Sequence, residues 1–130
     1  MQNFIEKMVF EYAKDMSVLV VDDDDLTLEI YKEVYASFFF VVDTARDGEE
    51  AFKLYNSGKK YDLLITDLMM PKIDGFELID KIRLSSPEQH ILVLTAIEDI
   101  NEMRNIIELG IDGILGKPFN QEKMFKILFR

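Results

Sequence analysis

The chain has no cysteine and a single histidine in 130 residues. The first absence excludes disulfides, thiolate zinc sites and cysteine nucleophiles, and it agrees with a reducing cytoplasm, which is the expected location. The second leaves no histidine metal cluster and argues against a Ser-His-Asp triad, so His90 reads as a surface residue entering a strand. Basic residues are scarce beside acidic ones: 15 Lys and Arg against 25 Asp and Glu give a net charge of -10. That balance speaks against a nucleic-acid or anionic-membrane surface, both of which need clustered cations. No apolar run reaches the roughly 18 residues of a membrane span. Glu6 and Lys7 interrupt what would have to be a signal core, so neither insertion nor secretion is expected. Internal repeats and low-complexity linkers are also missing. At this length and 48% hydrophobic content, the composition is that of one globular domain with a single core.

What is present is an alternation. From Ser17 onward, short runs rich in Val, Ile and Leu are followed by segments with helical spacing and then by turns. Strands are expected at 17–22, 39–45, 62–67, 91–96 and 113–117, and their near-continuous apolarity suits burial on both faces, as in a parallel sheet. Between the first two, apolar residues at 26, 30, 31, 34, 35 and 38 predict a helix packing one face on the sheet. Asp47 with Glu50 predicts a helix start, closed by Gly58. Further helices are expected near 75–84, 99–109 and 120–129, with Gly110 a C-terminal stop. The pairs Asp74-Gly75 and Pro87-Glu88 read as turn punctuation. Five strands alternating with five helices make a doubly wound α/β fold, (βα)5, with a crevice at the carboxyl ends of its strands. Residues 1–16 stand apart: Phe4, Ile5, Met8, Val9 and Tyr12 share one helical face, so an amphipathic helical extension precedes a domain at 17–130.

The most unusual stretch is VLVVDDDDLTL, residues 18–28, in which four aspartates follow a buried strand. Parallel strands point their C-terminal ends at one edge, so Asp22 and Asp23, Asp67, Thr95 and Lys117 converge there. Three carboxylates at one edge form a hard-oxygen site, for which Mg²⁺ is a natural counter-ion. A hydroxyl and an ammonium beside it suit an oxyanion such as a phosphoryl group, and Asp67 is then a candidate acceptor nucleophile. Asp24 and Asp25 have a simpler use, capping the helix from Leu26 and facing its N-terminal dipole. Taken singly, each of these residues has a bland reading as strand, turn or solvated charge. Their joint position at strand ends favours the site.

These residues closely resemble the receiver domain of two-component response regulators. The resemblance runs from about Ser17 to the end of the chain, through VVDDD at 20–24, ARDGEEAF at 45–52, LLITDLMMPKIDGFELIDKIR at 63–83, LVLTA at 92–96 and GKPF at 116–119. It implies a flavodoxin-like five-stranded parallel sheet of order 2-1-3-4-5. It also implies a phosphorelay protein in which Asp67 accepts a phosphoryl group from a sensor histidine kinase or a histidine phosphotransfer protein. By the same resemblance, Asp23, Asp67 and the backbone carbonyl of Met69 hold Mg²⁺, with Asp22 acting largely through a coordinated water. Thr95 and Lys117 contact the phosphoryl oxygens, and the Lys117-Pro118 peptide is cis. Such a domain catalyses only its own phosphorylation and dephosphorylation. Phosphorylation draws Thr95 inward and alters a surface read by a downstream effector or output domain. Where the family commonly has an aromatic switch residue this chain has Ile114, which permits the Thr95 movement without a ring flip. Apolar Met69 and Ile97 lie where the family varies, which suggests a slow loss of the phosphoryl group. The charged pairs used by some family members to dimerise are not clearly present, and a homodimer is left open.

Three rivals belong to other classes. Asp23-x-Asp25-x-Thr27-Leu28 resembles the nucleophile motif of magnesium-dependent phosphatases of the haloacid dehalogenase type. Only Glu122 follows Lys117, however, and that reading leaves Asp67 and the LMMPKIDG loop unexplained. A degenerate receiver serving as a binding module would lack metal binding and phosphoryl uptake. A calcium loop fails because the aspartate run lacks the glycine and oxygen spacing it needs.

Overall fold

The computed structural model describes residues 11, 14–68, 74–95, 104, 108 and 110–116. Most of the helical extension and of the helix expected at 99–109, all of the helix expected at 120–129, and Met69, Ile97, Lys117 and Pro118 lie outside the described residues. The elements are β1 (Ser17–Val21), α1 (Asp25–Ala36), β2 (Val41–Ala45), α2 (Gly48–Tyr55), β3 (Leu63–Asp67), α3 (Gly75–Ser85), β4 (His90–Thr95) and β5 (Gly113–Gly116). They build one five-stranded parallel sheet of order β2-β1-β3-β4-β5.

Alternation along the strands divides the core in two. Val18, Val20, Leu63, Ile65, Leu92 and Leu94 join the side chains of α1, while Leu19, Val21, Leu64, Ile91 and Val93 join those of α2 and α3. Both faces are therefore covered, which is why the central strands read as unbroken apolar runs.

The buried stripe of α1 is Leu28, Tyr31 and Tyr35, continued by Phe38 and Phe39 beyond the helix. Leu26 and Ile30, expected in that stripe, are 65% and 52% exposed. At about 100° per residue both lie roughly 160–200° around the helix from Leu28, so the sheet can bury one set or the other. It buries the set carrying the two tyrosines.

β2 also starts later than its sequence suggests. The amides of Phe38 and Phe39 both donate to the Tyr35 carbonyl at the end of α1, each at 2.9 Å, and the Phe40 amide donates to Met16 at 2.9 Å. Those residues are committed before the ladder begins, and as an edge strand β2 leaves Val41 exposed. At the opposite end of β3, Asp62 turns back to Ser17, accepting from its amide at 2.8 Å. The loop after α2 carries Gly58 at φ +94°, a left-handed conformation that glycine adopts without a Cβ penalty.

Each described helix opens on an aspartate. Asp24 accepts from the Leu26 amide, Asp47 from Glu50 at 2.8 Å, and Asp74 from Glu77 at 3.0 Å. These caps satisfy amides left unpaired by the helix itself. The other end of the sheet is tied by Arg83, whose guanidinium donates to the carbonyls of Pro87 at 3.0 Å and Gly110 at 2.6 Å. It thus joins the end of α3 to the approaches of β4 and β5.

Candidate functional site

Register places the strand ends side by side. Val21 pairs with Thr66 and Asp67 with Leu94, so Asp22 follows β1 immediately beside the end of β3. Thr95, one residue past Leu94, pairs with Gly116. The backbone of Thr95 thus ends β4 at the expected edge, and Gly116 brings β5 to the same edge just before position 117.

The aspartate run divides its labour. Asp22 is fully buried and Asp67 is 6% exposed, whereas Asp23 is exposed. One carboxylate oxygen from each lies within 4.8 Å of the others. Asp22 is oriented by its own loop, its Oδ1 accepting from the Asp24 amide at 3.0 Å. Asp24 is the α1 cap and also accepts from the Thr27 hydroxyl. Asp25 occupies the first turn of α1, 3.8 Å from Arg46. Capping and interaction with the helix dipole therefore use the last two aspartates, as the sequence suggests, and the first two turn toward Asp67. Ile114 is half-buried in β5, pairs with Val93 and packs on the core beneath α2 and α3.

The acidic cluster of Asp22, Asp23 and Asp67 thus stands at the carboxyl edge of a parallel sheet covered on both faces. The model of the response regulator receiver domain matches residues 18–129. The chain belongs to that family. The receiver assignment also agrees with curated relatives. Response regulator MprA of Mycobacterium avium is 36% identical over 109 residues, covering 84% of this chain and 47% of that protein. A cyclic di-GMP phosphodiesterase of Thermotoga maritima is 34% identical over 107 residues, covering 82% of this chain and 28% of that protein. Among solved structures, chemotaxis protein CheY4 of Vibrio cholerae superposes with a TM-score of 0.80 at 31% identity, covering 89% of this chain and 98% of that one. A receiver protein from Pseudomonas putida gives 0.79 at 32% identity, covering 90% and 98%. The chain spans less than half the length of the curated relatives it matches.

In this receiver domain two supports of the acidic cluster escaped the sequence reading. Asp74-Gly75 is more than a turn. A Cβ on Gly75 would sit 2.3 Å from the carbonyl oxygen of Asp67 and 2.6 Å from Cα of Leu68, and the Gly75 amide donates to Leu68 at 3.0 Å. Thr66, fully buried, donates its hydroxyl to the Asp67 carbonyl at 2.8 Å. The signals were available: a glycine opening a helix shortly after the acidic strand end, and one hydroxyl in the apolar run LLITD. Both have ordinary readings, as a turn and as a β-branched strand residue, and those readings hid them.

Further from the edge, Asp43 of β2 accepts from the Tyr61 hydroxyl and from Lys59. Burial alone would raise the Asp43 carboxyl, but hydrogen bonds from Tyr61 and Lys59, with the Lys59 and Lys32 charges, bring it below its ordinary value. Burial and the Asp43 carboxylate push the Tyr61 phenol well above the usual tyrosine range. This network fastens the edge strand and lies apart from the acidic cluster.

Proposed function

We propose that this receiver domain is a working phosphoacceptor, taking a phosphoryl group on Asp67 from the phosphohistidine of a sensor histidine kinase or histidine phosphotransfer protein. The observation that carries the reading is the convergence of Asp22, Asp23 and Asp67 within 4.8 Å, two of them buried. Buried carboxylates held this close call for a compensating cation. Their hard oxygens suit Mg²⁺, which Asp23, Asp67 and the Met69 backbone carbonyl would hold, with Asp22 contributing through a water. When bound, Mg²⁺ neutralises charge on the acceptor and on the incoming phosphoryl oxygens.

In the transfer, an Asp67 carboxylate oxygen forms a bond to phosphorus as the bond from phosphorus to the donor imidazole breaks, and the imidazole nitrogen keeps the electron pair. Thr95 contributes a hydroxyl donor and Lys117 an ammonium to the phosphoryl oxygens, stabilising charge in the transition state. The new anion at Asp67 then draws Thr95 toward it. Ile114 accommodates that movement by repacking rather than by a ring flip, so the switched surface lies around β4 and β5. The protein catalyses only its own phosphorylation and dephosphorylation. Residues 17–130 form the receiver, residues 1–16 a helical extension, and the domain works in a reducing cytoplasm through an output domain or separate effector. Among the described residues no helix is long and apolar enough to cross a membrane.

The test is intact-protein mass after incubation with acetyl phosphate, with and without Mg²⁺. One Mg²⁺-dependent phosphoryl group, absent from Asp67→Asn, is expected. No gain in folded wild type would favour a degenerate binding module. Uptake that persists in Asp67→Asn but is lost in Asp23→Asn would favour the phosphatase reading.

A further inference from the structure

We propose that Thr66 and Gly75 are positioning residues that clamp the Asp67–Leu68 peptide from two sides and so set the aim of the Asp67 carboxylate. The inference rests on the phosphoacceptor reading of Asp67 and adds two residues to it.

Asp67 is the last residue of β3, where the ladder runs out and a backbone is normally freer to turn. The direction of its side chain follows from the orientation of its peptide. That peptide is held on one side by the Thr66 hydroxyl, which donates to the Asp67 carbonyl at 2.8 Å inside a fully buried position. The first residue of α3 brings a bare Cα against the same peptide and donates its amide to the following carbonyl, that of Leu68, at 3.0 Å. The approach is too close for any side chain, since a Cβ on Gly75 would meet backbone at 2.3 and 2.6 Å. Backbone cannot swing aside as the tip of a flexible side chain can.

Burial makes the hydroxyl informative. Valine has nearly the shape of threonine and suits a buried strand without bringing a polar group that needs a partner. The neighbouring β3 positions Leu63, Leu64 and Ile65 are apolar, yet the position before the acceptor carries a hydroxyl aimed at the acceptor's own carbonyl. Gly75 adds an independent contact to the same peptide from a helix capped by Asp74. A nucleophile displaced by about 1 Å can lose up to about a hundredfold in rate, so holding this peptide affects transfer directly.

The experiment compares wild type, Thr66→Val, Thr66→Ser and Gly75→Ala. It measures the maximal phosphorylation rate and half-saturating concentration with acetyl phosphate at saturating Mg²⁺, together with thermal melting. The expected result for Thr66→Val is a maximal rate lowered by about tenfold, with little change in half-saturation and a melting temperature close to wild type. Thr66→Ser, which restores the hydroxyl, should recover most of the rate. Gly75→Ala, which leaves Thr66 intact, should lower the maximal rate at least as much. Wild-type rates in both Thr66→Val and Gly75→Ala would overturn the clamp, as would a rate loss in Thr66→Ser equal to that in Thr66→Val. If Thr66→Val does not fold, Gly75→Ala and Thr66→Ser decide the matter: a slow alanine variant with an active serine variant supports the clamp, and any other combination overturns it. Failure of wild type itself to take up phosphoryl would instead overturn the phosphoacceptor reading, and the clamp with it.

Discussion

Removing the acceptor charge should make the metal-free domain more stable. Asp22 and Asp67 are both buried, and their carboxylate oxygens, with one from Asp23, lie within 4.8 Å. Two unit charges at that separation repel by about 0.9 kcal/mol in bulk water and about 3.5 kcal/mol at an effective dielectric constant of about 20. Asp67→Asn keeps the shape of the side chain and removes the charge. Allowing about 1 kcal/mol for hydrogen bonds that an amide accepts less well, the net gain at the protein-like dielectric is about 2.5 kcal/mol. For a domain of this size each kcal/mol moves the melting temperature by roughly 3–5 °C, so the variant should melt about 8–12 °C above wild type in EDTA. Mg²⁺ should narrow or reverse the difference. At a hundredfold excess over its Kd it would stabilise wild type by about 2.7 kcal/mol, while the variant, short of an anionic ligand, should gain little. Thermal unfolding followed by circular dichroism, in EDTA and across a Mg²⁺ titration, reads both effects. A variant that melts below wild type in EDTA, or that Mg²⁺ stabilises equally, would refute the argument that these carboxylates form one cation site.

Three further outcomes follow from other parts of the fold. Asp24→Ala removes the α1 cap and should cost about 1 kcal/mol in urea unfolding, while Asp25→Ala, in the first turn and mostly exposed, should cost much less. Asp43 has a lowered carboxyl, so its contribution is present above the unfolded carboxylate value of 3.8 and is lost as pH falls through the folded value. The stability difference between wild type and Asp43→Asn, about 1 kcal/mol, should therefore be full at pH 7 and shrink below about pH 4; a constant gap across that range would contradict the network. Leu26 and Ile30 form an exposed apolar pair one helical turn apart on α1, starting beside the acidic edge. Alanine at both should slow transfer from a phosphohistidine protein while leaving phosphorylation by acetyl phosphate unchanged, and equal slowing with both donors would count against a docking role.

The sheet was legible because both its faces are covered. Continuous apolar runs at 18–21, 63–65 and 91–94 could hardly be anything but central strands, and their polar terminators marked one edge. The acidic cluster was legible for the same reason: parallel topology turns distant aspartates into neighbours. The burial pattern of α1 was misread because six apolar residues offered more than one stripe, and only packing against Val18, Val20 and Ile65 selects the face of Leu28, Tyr31 and Tyr35. β2 was extended too far because Phe39 and Phe40 are apolar like strand residues, while their amides are already committed to the carbonyls of Tyr35 and Met16. Thr66 and Gly75 show a further limit. Their importance lies in contacts with a backbone carbonyl, and a sequence pattern of side chains does not display where carbonyls point.

The most direct measurement locates the phosphoryl group itself. After Mg²⁺-dependent phosphorylation, borohydride reduction of the acyl phosphate followed by peptide mass mapping identifies which aspartate carried it. The reduced residue is expected to be Asp67, in stoichiometric yield with the intact-mass gain. Reduction at Asp22 or Asp23 instead would contradict it and move the chemistry to the end of β1.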